Sequence, residues 1–113
     1  TVEKWKYNGT LPTIATSVER VGASVPESFA LMQNYPNPFN PSTEIQFSIT
    51  ESGHVSLKVF DVLGREVALL VDEVKSPGMY RVRFNAENLP GGTYFYSLRE
   101  GNSAVSKKMM FVK

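Results

Sequence analysis

The chain has 113 residues, of which 42% are hydrophobic and 20% are charged, with twelve basic residues against eleven acidic ones. This length predicts one domain that buries roughly 65% of its unfolded surface, and the near-neutral charge argues against nucleic-acid binding. Because the chain contains no cysteine, disulfides, thiolate metal sites and cysteine nucleophiles are excluded. No apolar run approaches the roughly 20 residues of a membrane-spanning helix. The chain begins at Thr1 without a methionine, so we expect a processed or excised fragment of a longer protein.

The N-terminal segment, residues 1–21, differs in character from the rest of the chain. Alternating residues at 2–7 and 14–18 predict two weak strands, with Asn8-Gly9 as a tight turn between them. Residues 22–28 combine glycine, small residues and a proline, which is typical of a linker. We therefore predict an N-terminal arm at 1–21, a linker at 22–28 and a compact module at 29–113.

A proline-rich run, YPNPFNPST at residues 35–43, interrupts the strand pattern near the start of this module. Each proline fixes its own φ and favours an extended residue before it, so neither a helix nor a central strand can pass through the run. The sequence therefore predicts an ordered crossover between two strands, with the rings of Tyr35 and Phe39 anchored in the core. The predicted motif consists of Tyr35, Pro36, Asn37, Pro38, Phe39, Asn40 and Pro41.

Alternation of apolar and polar residues predicts strands at 29–33, 43–50, 54–60, 66–72, 79–85, 94–98 and 103–113. The mixed pattern of 66–72 leaves its inward-facing residues open. Between strands, Asp61 is predicted to cap the turn amides around a Gly64 with positive φ, and the LPGGTY run predicts a tyrosine corner at Tyr94. Seven short strands without a helical period predict an all-β, immunoglobulin-like antiparallel sandwich.

The last strand is expected to have two kinds of side chain. Val105 and one alternating set from residues 109–112 are predicted to fill the sandwich. Lys107, Lys108 and Lys113 are predicted to project into water.

Titratable residues show no pattern of a general acid and base. His54 falls at a turn on the predicted wet face, so a solvated histidine is favoured over a ligand or base. Four acidic residues at strand ends could bind calcium if two loops met, although turn capping is favoured because no D-x-D-x-D ladder is present. These residues are Asp61, Asp72, Glu73 and Glu87. We predict no catalytic residue, no metal and no cofactor.

Aromatic residues allow one further hypothesis, a sugar-stacking platform. Its members would be Trp5, Tyr7, Tyr94 and Tyr96. Aromatic residues on alternating strands are usually part of a core, so the core interpretation is favoured over the platform.

Five features, taken in order, carry a resemblance to a known family: FALMQNYPNPFNPSTEIQF at 29–47, GHVSLKVFDVLGREV at 53–67, Gly78 with the strand at 80–84, LPGGTYFYSL at 89–98 and KKMMFVK at 107–113. Together they resemble the type A C-terminal sorting domain of the type IX (Por) secretion system. The resemblance covers residues 29–113, about three quarters of the chain. It implies a non-catalytic, immunoglobulin-like module appended to a secreted cargo.

The resemblance also implies a route and partners. The cargo would pass from the periplasm across the outer membrane to the cell surface or medium, through contacts with a translocon and a surface sortase that can attach it to lipopolysaccharide. Translocon recognition maps onto Lys107, Lys108, Met109, Met110, Phe111, Val112 and Lys113. Residues 1–21 would be the tail of the cargo, and sortase cleavage would fall at Gly22, Ala23 and Ser24.

Two other classes of function remain open at this point. An extracellular structural subunit would form homo-oligomers by adding its N-terminal arm as a strand to a neighbour. A carbohydrate-binding module, the weaker alternative, would need an exposed aromatic row.

Overall fold

The computed structural model describes residues 28–113 and the backbone of residues 18–20. These residues form eight strands: β1 (Val18–Arg20), β2 (Ala30–Leu31), β3 (Ser42–Ile49), β4 (Gly53–Phe60), β5 (Glu66–Lys75), β6 (Gly78–Asn85), β7 (Gly92–Glu100) and β8 (Ser103–Phe111). The described part of the chain contains no helix that could cross a membrane.

The strands form two four-stranded antiparallel sheets. Sheet 1 has the order β1-β6-β3-β2, and sheet 2 has the order β5-β4-β7-β8. Their facing surfaces enclose one apolar core. The predicted all-β, immunoglobulin-like sandwich is therefore confirmed.

Strict alternation along four central strands supplies most of this core. Neighbouring residues of a strand point to opposite faces, so every second residue is buried. The buried residues are Ile45, Phe47 and Ile49 on β3, Val55, Leu57 and Val59 on β4, Tyr80, Val82 and Phe84 on β6, and Tyr94, Tyr96 and Leu98 on β7. Each set follows the apolar–polar alternation from which the strands were predicted, and burial of one such apolar side chain contributes roughly 1.5–3 kcal/mol.

Strand β5 departs from alternation because its pairing with β4 shifts register twice. Leu57 lies opposite Val71, but Lys58 lies opposite Leu69, so Leu70 is an extra residue on β5. At such a bulge two residues face one partner. Leu70 and Val71 are adjacent in sequence and both are buried, which explains why the mixed pattern did not reveal the inward set.

The N-terminal arm lies partly within the described residues. The backbone of β1 pairs with β6 at the edge of sheet 1, with Val18 opposite Val82 and Arg20 opposite Tyr80. The predicted strand at 2–7 and most of the one at 14–18 lie outside the described residues, as do Trp5, Tyr7 and nearly all of the predicted linker. The boundaries at 21 and 28 therefore stay a prediction.

The turn between β4 and β5 has the predicted chemistry. An oxygen of the Asp61 carboxylate accepts hydrogen bonds from the backbone N–H groups of Leu63 and Arg65, each at 2.9 Å. The backbone amide of Arg65 is the main reason that the pKa of Asp61 is held below its ordinary value, and the Arg65 guanidinium adds to the effect. Gly64 has a φ of 85°, in the left-handed region that side chains disfavour.

A pair of glycine substitutions tests this turn. Gly64→Ala places a Cβ in open space but in a left-handed backbone, so we expect the free energy of unfolding to fall by about 1–2 kcal/mol. Gly53→Ala also places its Cβ in open space, and there the backbone is not left-handed, so we expect a change within about 0.5 kcal/mol. Urea denaturation measures both, and equal losses would contradict the assigned turn conformation.

Candidate functional site

One end of the sandwich brings together four of the features that the sequence singled out: the proline crossover, the Asp61 turn, the tyrosine corner and the last residues of the chain. β3 and β7 start there, and β4, β6 and β8 end there. We call it the motif end. It is formed by the proline crossover at 35–41, the turn at 61–65, the loop at 86–91 and the last residues, Val112 and Lys113.

The proline crossover pairs with the outer edge of β8. The N–H of Phe39 donates to the carbonyl of Met110 at 3.0 Å, and the N–H of Val112 donates to the carbonyl of Phe39 at 2.9 Å. Two side chains add to this pairing: the Asn37 Oδ1 accepts from the N–H of Met110 at 3.0 Å, and the Gln33 Nε2 donates to the carbonyl of Lys108 at 2.8 Å. We call these four bonds the latch, because they join the crossover from sheet 1 to the last strand of sheet 2.

A buried polar network holds the start of the crossover. The Tyr96 hydroxyl donates to the carbonyl of Met32 and accepts from the N–H of Asn34, both at 2.8 Å. The buried Asn34 amide donates to the Pro36 carbonyl at 3.0 Å and to the Thr43 hydroxyl at 2.9 Å. Burial raises the pKa of Tyr96 to about 12. Sequence reasoning missed Asn34, because an asparagine beside prolines looks like an ordinary turn residue.

The two predicted anchors of the crossover differ. Phe39 is 2% exposed, and its ring stacks on Phe111 with 5.1 Å between centroids and tilts against Phe84 at 6.1 Å. The prediction is confirmed for Phe39 and wrong for Tyr35, which is 81% exposed. Tyr35 contributes its backbone instead, through a two-hydrogen-bond bridge to Glu44. Paired residues of antiparallel strands point to the same face, and Glu44 lies on the solvent side of β3.

Side chains of the last strand divide between core and solvent. Met109 and Phe111 are buried at 1% and 2% exposure, whereas Met110 and Val112 are exposed. The predicted alternation is therefore confirmed. Val105 is half-buried on the core side.

The three lysines of this ending have different surroundings. Lys108 is exposed, as predicted, but Lys107 is half-buried at a register position on the core-facing side of β8, opposite Tyr96. The expectation that Lys107 projects freely into water is therefore wrong. Lys113 is exposed, yet its ammonium donates to the Leu89 carbonyl at 3.0 Å and lies 5.9 Å from the centre of the Phe111 ring.

Apolar side chains are exposed around the motif end. A groove of about 530 Å³ lies between residues 61–67 and 89–94, and Val62 and Leu63 at its border are 65% and 73% exposed. Most of the large exposed apolar residues in the described part of the chain lie at the motif end or on the parts of β7 and β8 next to it. The exception among them is Val74, on β5. Exposed apolar surface of this kind is typical of protein interaction sites.

The tyrosine corner predicted at Tyr94 is present: its hydroxyl donates to the Pro90 carbonyl at 2.5 Å. Tyr80 makes the same contact with the Ser76 carbonyl at 2.6 Å, which sequence reasoning missed. The signal was a second run of proline and glycine shortly before a tyrosine.

Candidate chemical groups do not converge within the described residues. No group of three or more histidine, cysteine or acidic side chains there could hold a metal ion. His54 is exposed and lies 2.7 Å from the Asp72 carboxylate, and the Asp61 carboxylate is engaged in its turn. Tyr94 and Tyr96 are buried and form no exposed sugar platform, while Trp5 and Tyr7 lie outside the described residues.

Comparison with protein families decides the assignment. Residues 33–113 match the model of the family described as the secretion system C-terminal sorting domain. The chain belongs to this family. The matched range begins at the latch residue Gln33 and ends at Lys113, so it contains all four bonds of the latch. Neither the curated proteins nor the solved structures gave a match.

Membership in the sorting-domain family supports a general role. It marks this chain as a type IX secretion sorting domain, a class that acts with the secretion machinery in export to the cell surface or medium and is in general non-catalytic.

Two aromatic residues of the crossover allow a matched test of the site. Phe39→Ala removes a buried ring that contacts Phe84 and Phe111, so we expect the free energy of unfolding to fall by roughly 3–5 kcal/mol. Tyr35→Ala removes an exposed ring and should cost less than about 1 kcal/mol. Similar denaturation midpoints for the two variants would show that Phe39 does not anchor the crossover.

The buried phenol predicts a loss of stability at high pH. The pKa of Tyr96 is about 12 in the folded chain and about 10 in an unfolded one. The folded state therefore binds the proton more tightly, and the stability this provides is complete below pH 10 and lost as the pH rises through 12.

Comparison with a variant isolates this effect. Between pH 10 and 12 the free energy of unfolding should fall by up to about 3 kcal/mol more in the wild type than in Tyr96→Phe. Denaturation at several pH values measures the difference, and parallel pH profiles would contradict it. Burial also raises the pKa of Tyr94. Because Tyr94 is present in both proteins, its contribution to the pH dependence cancels in the comparison.

Proposed function

We propose that residues 29–113 are a C-terminal sorting signal that takes an attached cargo from the periplasm across the outer membrane to the cell surface or medium. The family match over residues 33–113 is the observation that carries this proposal. Within the module, the translocon recognises residues 107–113, which are the last part of β8 and the two residues that follow it. A surface sortase then separates the cargo at Gly22, Ala23 and Ser24, and can attach it to lipopolysaccharide.

The geometry supports a role for the ending of β8 as a fixed feature of a folded module. The side chains of Met109 and Phe111 are buried in the core. One backbone edge of β8 pairs with β7, and the latch occupies the other edge. A translocon that binds this surface would recognise the folded state, because the groups that position the ending belong to both sheets. Such a signal needs no substrate pocket of its own.

The self-assembly alternative has less support. It requires the N-terminal arm to pair with a neighbouring chain, but the described part of the arm, β1, pairs with β6 of its own chain. The carbohydrate-binding alternative lacks exposed tyrosines at positions 94 and 96. Neither alternative is supported by the family match.

A reporter fusion tests the sorting role. Residues 29–113 fused to a neutral periplasmic reporter, in a host with the secretion system, should send the reporter to the surface or medium. Removal of Met109–Lys113 should keep it in the periplasm, because the deletion takes away the proposed recognition segment. A reporter that stays in the periplasm with the intact module, or leaves equally well after the deletion, would refute the proposal.

Cleavage is tested separately with the whole chain fused to the same reporter. Mass spectrometry of the exported reporter should find a new C-terminus within residues 22–24. Uncleaved export, or cleavage elsewhere, would remove the assignment of Gly22, Ala23 and Ser24 and leave the export proposal intact.

A further inference from the structure

Most of the last strand is unavailable to a partner in the folded domain. Its inward side chains Met109 and Phe111 are buried, and one backbone edge pairs with β7 along its whole length. From Lys108 to Val112 the other edge is occupied by the latch. What remains open to a partner at this ending is the outward-facing set of side chains.

This outward set is a short row of Lys108, Met110 and Val112. Their spacing of two residues places them on one face of β8, in a row about 14 Å long. Met110 is 41% exposed and Val112 is 50% exposed. Lys108 is exposed and takes no part in the ion pairs formed among the described residues.

Neighbouring strands extend the row into a larger surface. Phe95 on β7 lies opposite Lys108 and is 38% exposed, and Phe60 on β4 lies opposite Phe95. The Thr93 hydroxyl lies 3.7 Å from the Met110 sulfur. The row is thus a mixed surface, with a cation beside exposed apolar groups.

We infer that the translocon recognises β8 in place, while the strand remains part of the folded sandwich. It does so through the outward side chains Lys108, Met110 and Val112. This inference rests on the proposed sorting function and makes it more specific. The partner is a protein surface that offers an apolar contact to Met110 and Val112 and a carboxylate to Lys108. Backbone pairing with a withdrawn or newly added strand plays no part in recognition.

The charge and the latch both favour this mode over withdrawal of the strand. An exposed ammonium that pairs with no carboxylate of the described residues is complementary to an acidic surface, and it steers association with one. Withdrawing β8 would break the latch, break the pairing with β7 and expose Met109 and Phe111 to water. Recognition in place requires none of these losses.

The first test changes only outward side chains, in the full chain fused to the periplasmic reporter. The triple variant Lys108→Glu, Met110→Ser and Val112→Ser should reduce export at least tenfold, with little change in its urea midpoint. As a matched control, Arg99→Glu with Val74→Ser reverses one exposed charge and removes one exposed apolar group away from the row. This control should be exported like the wild type.

Each outcome has a distinct meaning. If the wild-type fusion is exported and the triple variant is exported equally well, recognition in place is wrong and the sorting function stands. If the wild-type fusion itself stays in the periplasm, the sorting function and the inference both fail. Export that is lost equally in the control variant would also overturn the assignment of the row.

The second test asks whether the translocon binds β8 within the folded sandwich or only after β8 has left it. The two cases differ in whether loosening β8 lowers or raises export. Asn37→Ala removes the side-chain acceptor of the Met110 N–H, so exchange of that amide should accelerate and β8 should be easier to withdraw. If β8 is read in place, export of this variant is unchanged or lower. A rise in export would mean that withdrawal of the strand limits recognition, and would overturn the inference.

Discussion

The pairing of the proline crossover with β8 is the constraint on which the architecture of the motif end depends. A two-sheet sandwich has open edges, and an unpaired edge strand is a template for unwanted pairing. Here the chain leaves β2, crosses the gap between the sheets and places the backbone of Phe39 beside Met110 and Val112. The same residue inserts its ring between Phe84 of sheet 1 and Phe111 of sheet 2. Backbone pairing and core packing therefore fix the crossover and the last strand together.

The polar network around Asn34 explains why such an irregular segment can be ordered. Prolines remove backbone donors, and a segment that lies against a core must still satisfy its carbonyl groups. The Pro36 carbonyl accepts from the Asn34 amide and the Thr43 hydroxyl, and the Met32 carbonyl accepts from Tyr96. A buried network in which each member has a partner favours one arrangement, because any other leaves a polar group without a hydrogen bond. The crossover is thus held in one arrangement by hydrogen bonds, although only Tyr35 and Phe39 form β-bridges within it.

This construction relates fold stability to the proposed recognition. The groups that hold the ending of β8 face inward or lie along its edges, while the groups offered to a partner face outward. Because a strand alternates its side chains, one short segment serves both purposes without conflict. At the same end of the sandwich, the turn at 61–65 adds the exposed side chains of Val62 and Leu63, beside the groove that it forms with residues 89–94. A partner that binds the motif end therefore meets residues from several separate parts of the sequence.

Local patterns in the sequence were enough to predict the strands, the inward faces of the regular ones, the Asp61 turn and the tyrosine corner, because each depends on neighbours within a few residues. The sandwich class followed from the number of short strands and the lack of a helical period. Its motifs also determined the family. Which β5 residues face the core became known only from the packed sheets, since bulges depend on pairing with β4. The exposure of Tyr35 likewise follows from its bridge to Glu44 on the solvent side of β3. Lys107 lies on the core side of β8 because it shares a face with Met109 and Phe111, and the structure was needed to show that this pair is the inward one. The latch joins Gln33, Asn37 and Phe39 to residues more than seventy positions away. No local pattern encodes such a contact, because its geometry exists only once both sheets have packed.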